Sequence, residues 1–373
     1  MEESSLRKTA LPVFHSFAMW RFIAALLIMT YHFMHYSENS EVWVRWFENM
    51  LPLLDMFFMM SGYLIYDRYR EKLTDTGEFG SFLFKRLAKL YPLHMITTGF
   101  FVFVGLAWQL GFITSNAGVL RYDWTSLPSN ILLLQAWGTL DTLTFNYVSW
   151  SLSAEWFCYL MMPLILFVAL RSGIVGLLVV AAIFYMGTEY AISQDWPLGK
   201  TIADTKTWGA YRAFASFAIG AAVVQLVDMR IVLVRSHCWG WAVMGITIIA
   251  MFLSVNFYLI IAMMALALVL SAIAEHENPQ GLAWMRPILP VLAVSFGIYL
   301  WHPVVETVML SFIWRHYLGD IAPFAIEWFM LLAGVMSIAV ALASHHFYEK
   351  PLGNWLVGHF ERKTALKMQN KSA

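Results

Sequence analysis

The chain has 373 residues, 60% of them hydrophobic and only 13% charged, and its formal net charge is zero. Soluble domains are about half apolar and a quarter charged, so this composition excludes one. The balanced charge gives no basic field to attract nucleic acid. What remains is an all-α polytopic membrane protein.

Apolar runs that fit spanning helices lie at about 16 to 36, 51 to 67, 91 to 113, 149 to 170, 173 to 190, 208 to 228, 238 to 254, 257 to 275, 288 to 311 and 323 to 345. These predict about ten transmembrane helices. Arg7 and Lys8 precede the first run, but that run is long, contains Arg21 and lacks a small-residue cleavage site, so it reads as an uncleaved helix rather than a signal peptide. Arg21 and His32 are eleven residues apart within it, which puts them on one helical face, roughly 16 Å apart along the axis. Either residue alone is accounted for by snorkelling or by a bond to a neighbouring helix. The pair presents a permanent cation near one surface and a titratable base near the other.

The second run begins with Asp55. This carboxylate either caps its helix or, in an antiparallel hairpin with the first helix, comes level with His32 and orients the imidazole. A basic polar interval from Asp67 to Lys89 leads into the third run and ends in Lys85, Arg86 and Lys89. Arg86 and Lys89 share a face and make a double cation suited to phosphate, where lone juxtamembrane cations serve only as anchors. Between Thr114 and Val148 the apolar piece Ile131 to Trp137 is too short to span and reads as re-entrant or interfacial.

The fourth run carries Glu155, with Ser151 one turn earlier on the same face; the carboxylate either handles a proton or bonds another helix. Arg212, in the sixth run, is an intramembrane cation expected to pair with a carboxylate. Tyr299 and His302 share a face at mid-depth of the ninth run, just before Pro303. Glu349 closes the last run, where its charge opposes the helix dipole and requires a cationic partner. Cys158 and Cys238 fall towards opposite faces and read as packing residues.

Orientation follows from lysine and arginine. With both termini cytoplasmic, about 17 of the 24 basic residues fall in cytoplasmic segments or at their edges, against about five outside. That topology sets Arg21, Arg86, Lys89 and Glu349 near the cytoplasmic face and His32, Asp55 and Glu155 near the external one. No internal repeat, long linker or low-complexity segment is visible, so residues 1–373 read as one membrane domain with no appended soluble domain.

Several motifs recur in a fixed order: Arg21 with ten residues before His32; Asp55 followed by Phe58 and Ser61-Gly62-Tyr63; Arg86-Leu-Ala-Lys89 before Pro92; Ser149-Trp150-Ser151-Leu152 with Glu155; Tyr299 and His302; and Glu349-Lys-Pro351. This ordered set resembles the acyltransferase family 3 membrane proteins over about residues 12–352. The resemblance implies about ten helices and transfer of an acyl group, usually acetyl from acetyl-CoA, to hydroxyls of surface or exported glycans in the bacterial inner membrane. It also implies that His32 is the catalytic base and that Arg21, Arg86 and Lys89 handle acyl-CoA. Lys89 departs from the family pattern, which has a second arginine there; the charge is kept but the planar fork is lost.

Taken together, the expected catalytic residues are His32, Asp55 and Glu155, and the expected donor-binding residues are Arg21, Arg86 and Lys89. Ser151, Arg212, Tyr299, His302 and Glu349 are assigned to substrate contact or support. Partners are acyl-CoA, a hydroxyl-bearing glycan or similar acceptor, and membrane lipid. Direct attack by the acceptor and prior acylation of His32 both remain open. The alternative is a proton-coupled transporter of a small solute or lipid-linked sugar, which uses the same residue types but is disfavoured by the missing repeat symmetry and the clustered cations. His32, His35 and Asp55 have the spacing of a metal set. His35 reads instead as an interfacial residue, and no metal is expected.

Overall fold

Apolar surroundings leave no water to satisfy backbone groups, which favours the helix for an open chain. In the computed structural model, which describes residues 14–37, 39–114, 118–197, 199–319, 321 and 326–372, the long elements are all helical. Arg7 and Lys8 lie outside the described residues.

The helices in chain order are α1 (His15–Phe33), α2 (Ser40–Glu48), α3 (Leu53–Tyr69), α4 (Thr76–Gln109), α5 (Gly118–Arg121), α6 (Leu127–Ile131), α7 (Trp150–Leu160), α8 (Met162–Ser193), α9 (Gly209–Asp228), α10 (Cys238–Phe252), α11 (Phe257–Glu277), α12 (Leu289–Leu292), α13 (Ser295–Val305), α14 (Ile326–Ser344) and α15 (Lys350–Ser372). A π-helical stretch, Glu306–Leu318, continues α13, and another, His345–Glu349, joins α14 to α15. Among the described residues seven helical segments are long and apolar enough to cross a membrane. The other expected spans are shorter pieces, α3 with 17 residues and α10 with 15, or part of a broken helix. The break is at Gly173, whose φ of 56° divides α8 where the sequence separated its fourth and fifth runs.

Two segments take forms that the apolar runs alone do not specify. The basic interval before the third run is largely helix, because Asp75 accepts from the Glu78 N–H at 2.9 Å while Glu78 reaches back to Thr74, closing a capping box that starts α4 fifteen residues early. Helix α4 then runs through Pro92, which has no N–H to offer the Ala88 carbonyl. The short apolar piece after α6 packs against α7, with Leu133, Gln135 and Ala136 buried and Leu132 exposed. The Ala136 N–H donates to Ser153 Oγ at 3.0 Å, the Trp137 indole to the Ser153 carbonyl at 3.0 Å, and the Gln135 amide to Ser149 Oγ at 3.0 Å. Serines of α7 and its N-terminal turn thus satisfy backbone and side chains that no helix serves.

The core is centred on α9, whose side chains are buried on every face. Glycines allow this. A Cβ on Gly62 of α3 would overlap the Phe217 carbonyl, and one on Gly220 of α9 would overlap the Met59 carbonyl, so the two backbones touch.

Candidate active site

Two cavities and a neck define the site, and α1 passes all three. Towards the His15 end of α1, a cavity of about 320 Å³ is lined by Arg21, Lys85, Lys89, His345, Glu349 and Lys350. Lys89 is exposed into it. Glu349 is held by Ser344 Oγ at 2.8 Å and lies 3.8 Å from His345 Nδ1. Four cations against one carboxylate make this cavity a receptor for a multiply charged anion.

The second cavity, about 420 Å³, lies at the other end of α1 and is lined by His32, Tyr31, Asp141, Tyr147, Trp150, Lys206 and Tyr299 among others. A neck of about 40 Å³ lies between them, walled by Arg21, Phe57, Phe58, Ser151, Glu155, Phe296 and Tyr299. Arg21 and Phe296 line both the first cavity and the neck, and Leu54 and Tyr299 line both the neck and the second cavity. The three spaces therefore adjoin.

His32 is clamped by rings. His302 stacks on it at 5.2 Å and 22°, and Tyr147 meets it edge-on at 5.0 Å. The His302 Nδ1 donates to the Ile298 carbonyl at 3.3 Å, which makes Nε2 the acceptor nitrogen; that atom is buried without a hydrogen-bond partner. Tyr147 donates to Glu306 Oε2 at 2.8 Å, and Tyr36 donates to Glu306 Oε1 at 3.2 Å. Arg121 lies 5.3 Å from the Tyr147 ring centre, with two buried nitrogens that have no hydrogen-bond partner among the described residues. Sequence reading did not single out Tyr147, Glu306, Arg121 or Lys206. Glu306, sitting in an apolar run, was the available signal.

The remaining expected residues separate into two groups. Asp55 is fully buried with Arg212, whose Nε is 3.5 Å from Asp55 Oδ1, and accepts from Ser216 Oγ at 2.8 Å. Its carboxylate is therefore engaged by α9, next to Leu54 of the His32 cavity wall, and not hydrogen-bonded to His32. Arg212 in turn donates to the carbonyls of Ile202 and Ala203 and lies 5.6 Å from the ring of Trp150, which lines the His32 cavity. Glu155 accepts from Ser61 Oγ at 2.8 Å and from the Tyr159 hydroxyl, and faces the neck with Ser151. Tyr299 donates to the Val148 carbonyl at 3.1 Å. Arg86 does not line the cation cavity. Its Nη2 donates to the Tyr69 hydroxyl at 2.9 Å, and its guanidinium is surrounded by Tyr69, Phe82 and Tyr159 rings. Among the described residues no three His, Cys, Asp or Glu side chains gather as a metal cluster.

The family described as acyltransferase domain matches residues 14–344. Acyltransferase MdmB of Streptomyces mycarofaciens is 35% identical over 114 residues, a stretch that covers 30% of this chain and 27% of that relative. No solved structure matches the chain.

Proposed function

This chain belongs to the acyltransferase domain family, and on that premise we propose that it transfers an acyl group, acetyl in the simplest case, from cytoplasmic acyl-CoA to a hydroxyl of a cell-surface or exported glycan. In this reading it is an integral membrane protein of the bacterial inner membrane with about ten crossings and both termini cytoplasmic. The observation that carries the reading is the adjoining series of cation cavity, neck and His32 cavity. A pantetheine arm is about 20 Å long, enough to cover the roughly 16 Å rise from Arg21 to His32.

The donor supplies an acyl group activated as a thioester. Arg21 and Lys89, joined by Lys85 and Lys350, hold its phosphates. His32 takes the proton from the acceptor hydroxyl as the oxygen bonds to the acyl carbon and the carbon–sulfur bond breaks; the proton then leaves with the thiolate. In the second route His32 carries the acyl group first and the acceptor takes it from there. Asp55 acts at one remove, fixing Arg212 and through it the Trp150 wall. Glu155 lines the path of the thioester. His302, Tyr147 and Glu306 fix the His32 ring so that one nitrogen faces the cavity.

The transporter alternative uses the same continuous path but gives no role to four converging cations beside the neck. Sidedness separates the readings. In proteoliposomes of known orientation, acyl-CoA supports transfer only from the face carrying Lys72 and the C-terminus, and acceptor only from the opposite face. Transfer that requires both substrates on one face refutes the transmembrane route.

A further inference from the structure

The family match ends at residue 344, yet part of the wall of the cation cavity comes from beyond it. Lys350, Gly353, Asn354 and Val357 of α15 line that cavity. Their spacing of three, four and seven residues puts them on one helical face. The helix is held in place by α4. A Cβ on Gly353 would come 3.3 Å from the Ala88 carbonyl, the group Pro92 deprives of its helical donor. Further along, Phe360 stacks on Phe84 at 4.2 Å and Glu361 pairs with Lys85 at 2.8 Å.

The cations of this cavity are therefore unequal. Arg21 also lines the neck, so it stands where the pantetheine arm must leave. Lys89, one turn from Lys85 on α4, does not line the neck, but its charge interacts with Arg21 and with Glu155 of the neck wall, which puts it on the inner side of the cavity. Lys85 is already paired with Glu361. Lys350 lines the cavity but not the neck, and among the described residues it forms no ion pair. Glu349 beside it is occupied by Ser344 and His345. Coenzyme A has its pyrophosphate next to the pantetheine arm and its ribose 3′-phosphate beyond. That covalent order matches the inner cations to the pyrophosphate and leaves the outer one for the 3′-phosphate.

Resting on the donor reading above, we infer that α15 is the nucleotide-selecting wall of the donor pocket and that Lys350 binds the 3′-phosphate of coenzyme A. The inner cations then set affinity for any pantetheine pyrophosphate, and Lys350 sets the preference for the 3′-phosphorylated form.

The test is equilibrium binding of coenzyme A and of 3′-dephospho-coenzyme A to the purified full chain in lipid nanodiscs, which needs no acceptor and no turnover. The parent should prefer coenzyme A by about tenfold, the size of one charge-assisted phosphate contact. Lys350→Ala should remove most of that preference by weakening coenzyme A alone, Lys350→Arg should retain it, and Lys363→Ala, further along the same helix, should leave both affinities unchanged. If Lys350→Ala keeps the parent's preference, or weakens both ligands equally, the assignment of Lys350 is overturned. If the parent binds neither ligand, the donor reading itself fails. A parent that binds both equally overturns only the 3′-phosphate claim.

Discussion

His32 and Asp55 are both ionisable, the first half-buried and the second fully buried in the bundle, but their partners differ, and that difference predicts different losses on substitution. His32 faces a cavity of about 420 Å³; Asp55 is sealed against Arg212 and Ser216. His32→Ala should lower acyl transfer by at least about a hundredfold, the usual minimum for a lost general base, with an unchanged melting temperature. Asp55→Asn should act chiefly on stability, since breaking a buried ion pair costs about 3–5 kcal/mol; thermal unfolding in detergent measures it. An Asp55→Asn protein that melts like the parent but turns over slowly would move Asp55 into the chemistry. Arginine 86 provides a second contrast. Arg21→Ala should weaken donor binding by about tenfold or more, whereas Arg86→Ala, which empties an aromatic cage beside Tyr69 and Tyr159, should lower thermal stability and leave donor affinity within about twofold. Equal losses of donor affinity in both variants would show that the cage opens to the donor.

Helices as units explain what was readable in the sequence. The apolar runs located the membrane helices, and an eleven-residue spacing put Arg21 and His32 on the face that borders all three spaces, because both properties belong to a single helix. The start of α4 was also legible in principle, from Asp75 and Glu78, but a run of lysines and arginines obscured it. Other relations needed tertiary structure. Arg86 and Lys89 are three residues apart, and that separation is enough to turn one into an aromatic cage and the other into the cation cavity. Glu306 and Tyr147 are 159 residues apart in sequence and meet only in the folded bundle, where Glu306 follows directly on α13. The α3–α9 seam is the element most exposed to change. Gly220→Val should prevent the approach of α9 to the Met59 carbonyl and sharply lower the yield of folded protein in detergent extracts, while Gly245→Val, with no neighbouring atom within 4 Å of its Cβ position, should not. Comparable yields would mean that the two backbones can separate without harm.

For the molecule as a whole, the two cavities adjoin the neck in series, and α1 borders that series from Arg21 to His32. The helices that wall the path come from both halves of the chain, α3, α7 and α13 together with α1. This arrangement brings together residues as distant in sequence as Arg21, Glu155 and Tyr299. On the proposed sidedness it also allows the two substrates to enter by separate doors.

On the proposed sidedness the cavities face opposite aqueous phases, which raises a different demand, one of electrical insulation. The neck is narrow, about 40 Å³, and is walled by the rings of Phe57, Phe58 and Phe296 with Arg21 at its margin, 5.7 Å from the Phe57 ring. Greasy constrictions resist wetting, and a fixed positive charge repels protons and other cations, which are two of the means by which selective pores refuse ions. On the proposed donor reading, the arginine that meets the donor is also placed to guard the proton gradient whenever the donor is absent. Replacing Phe58 with Ala in sealed vesicles should speed the decay of an imposed pH difference. Adding coenzyme A, which on the proposed reading fills the neck from the cation side, should slow that decay again. Vesicles that hold their gradient equally well with either protein would locate the insulating barrier elsewhere along the path.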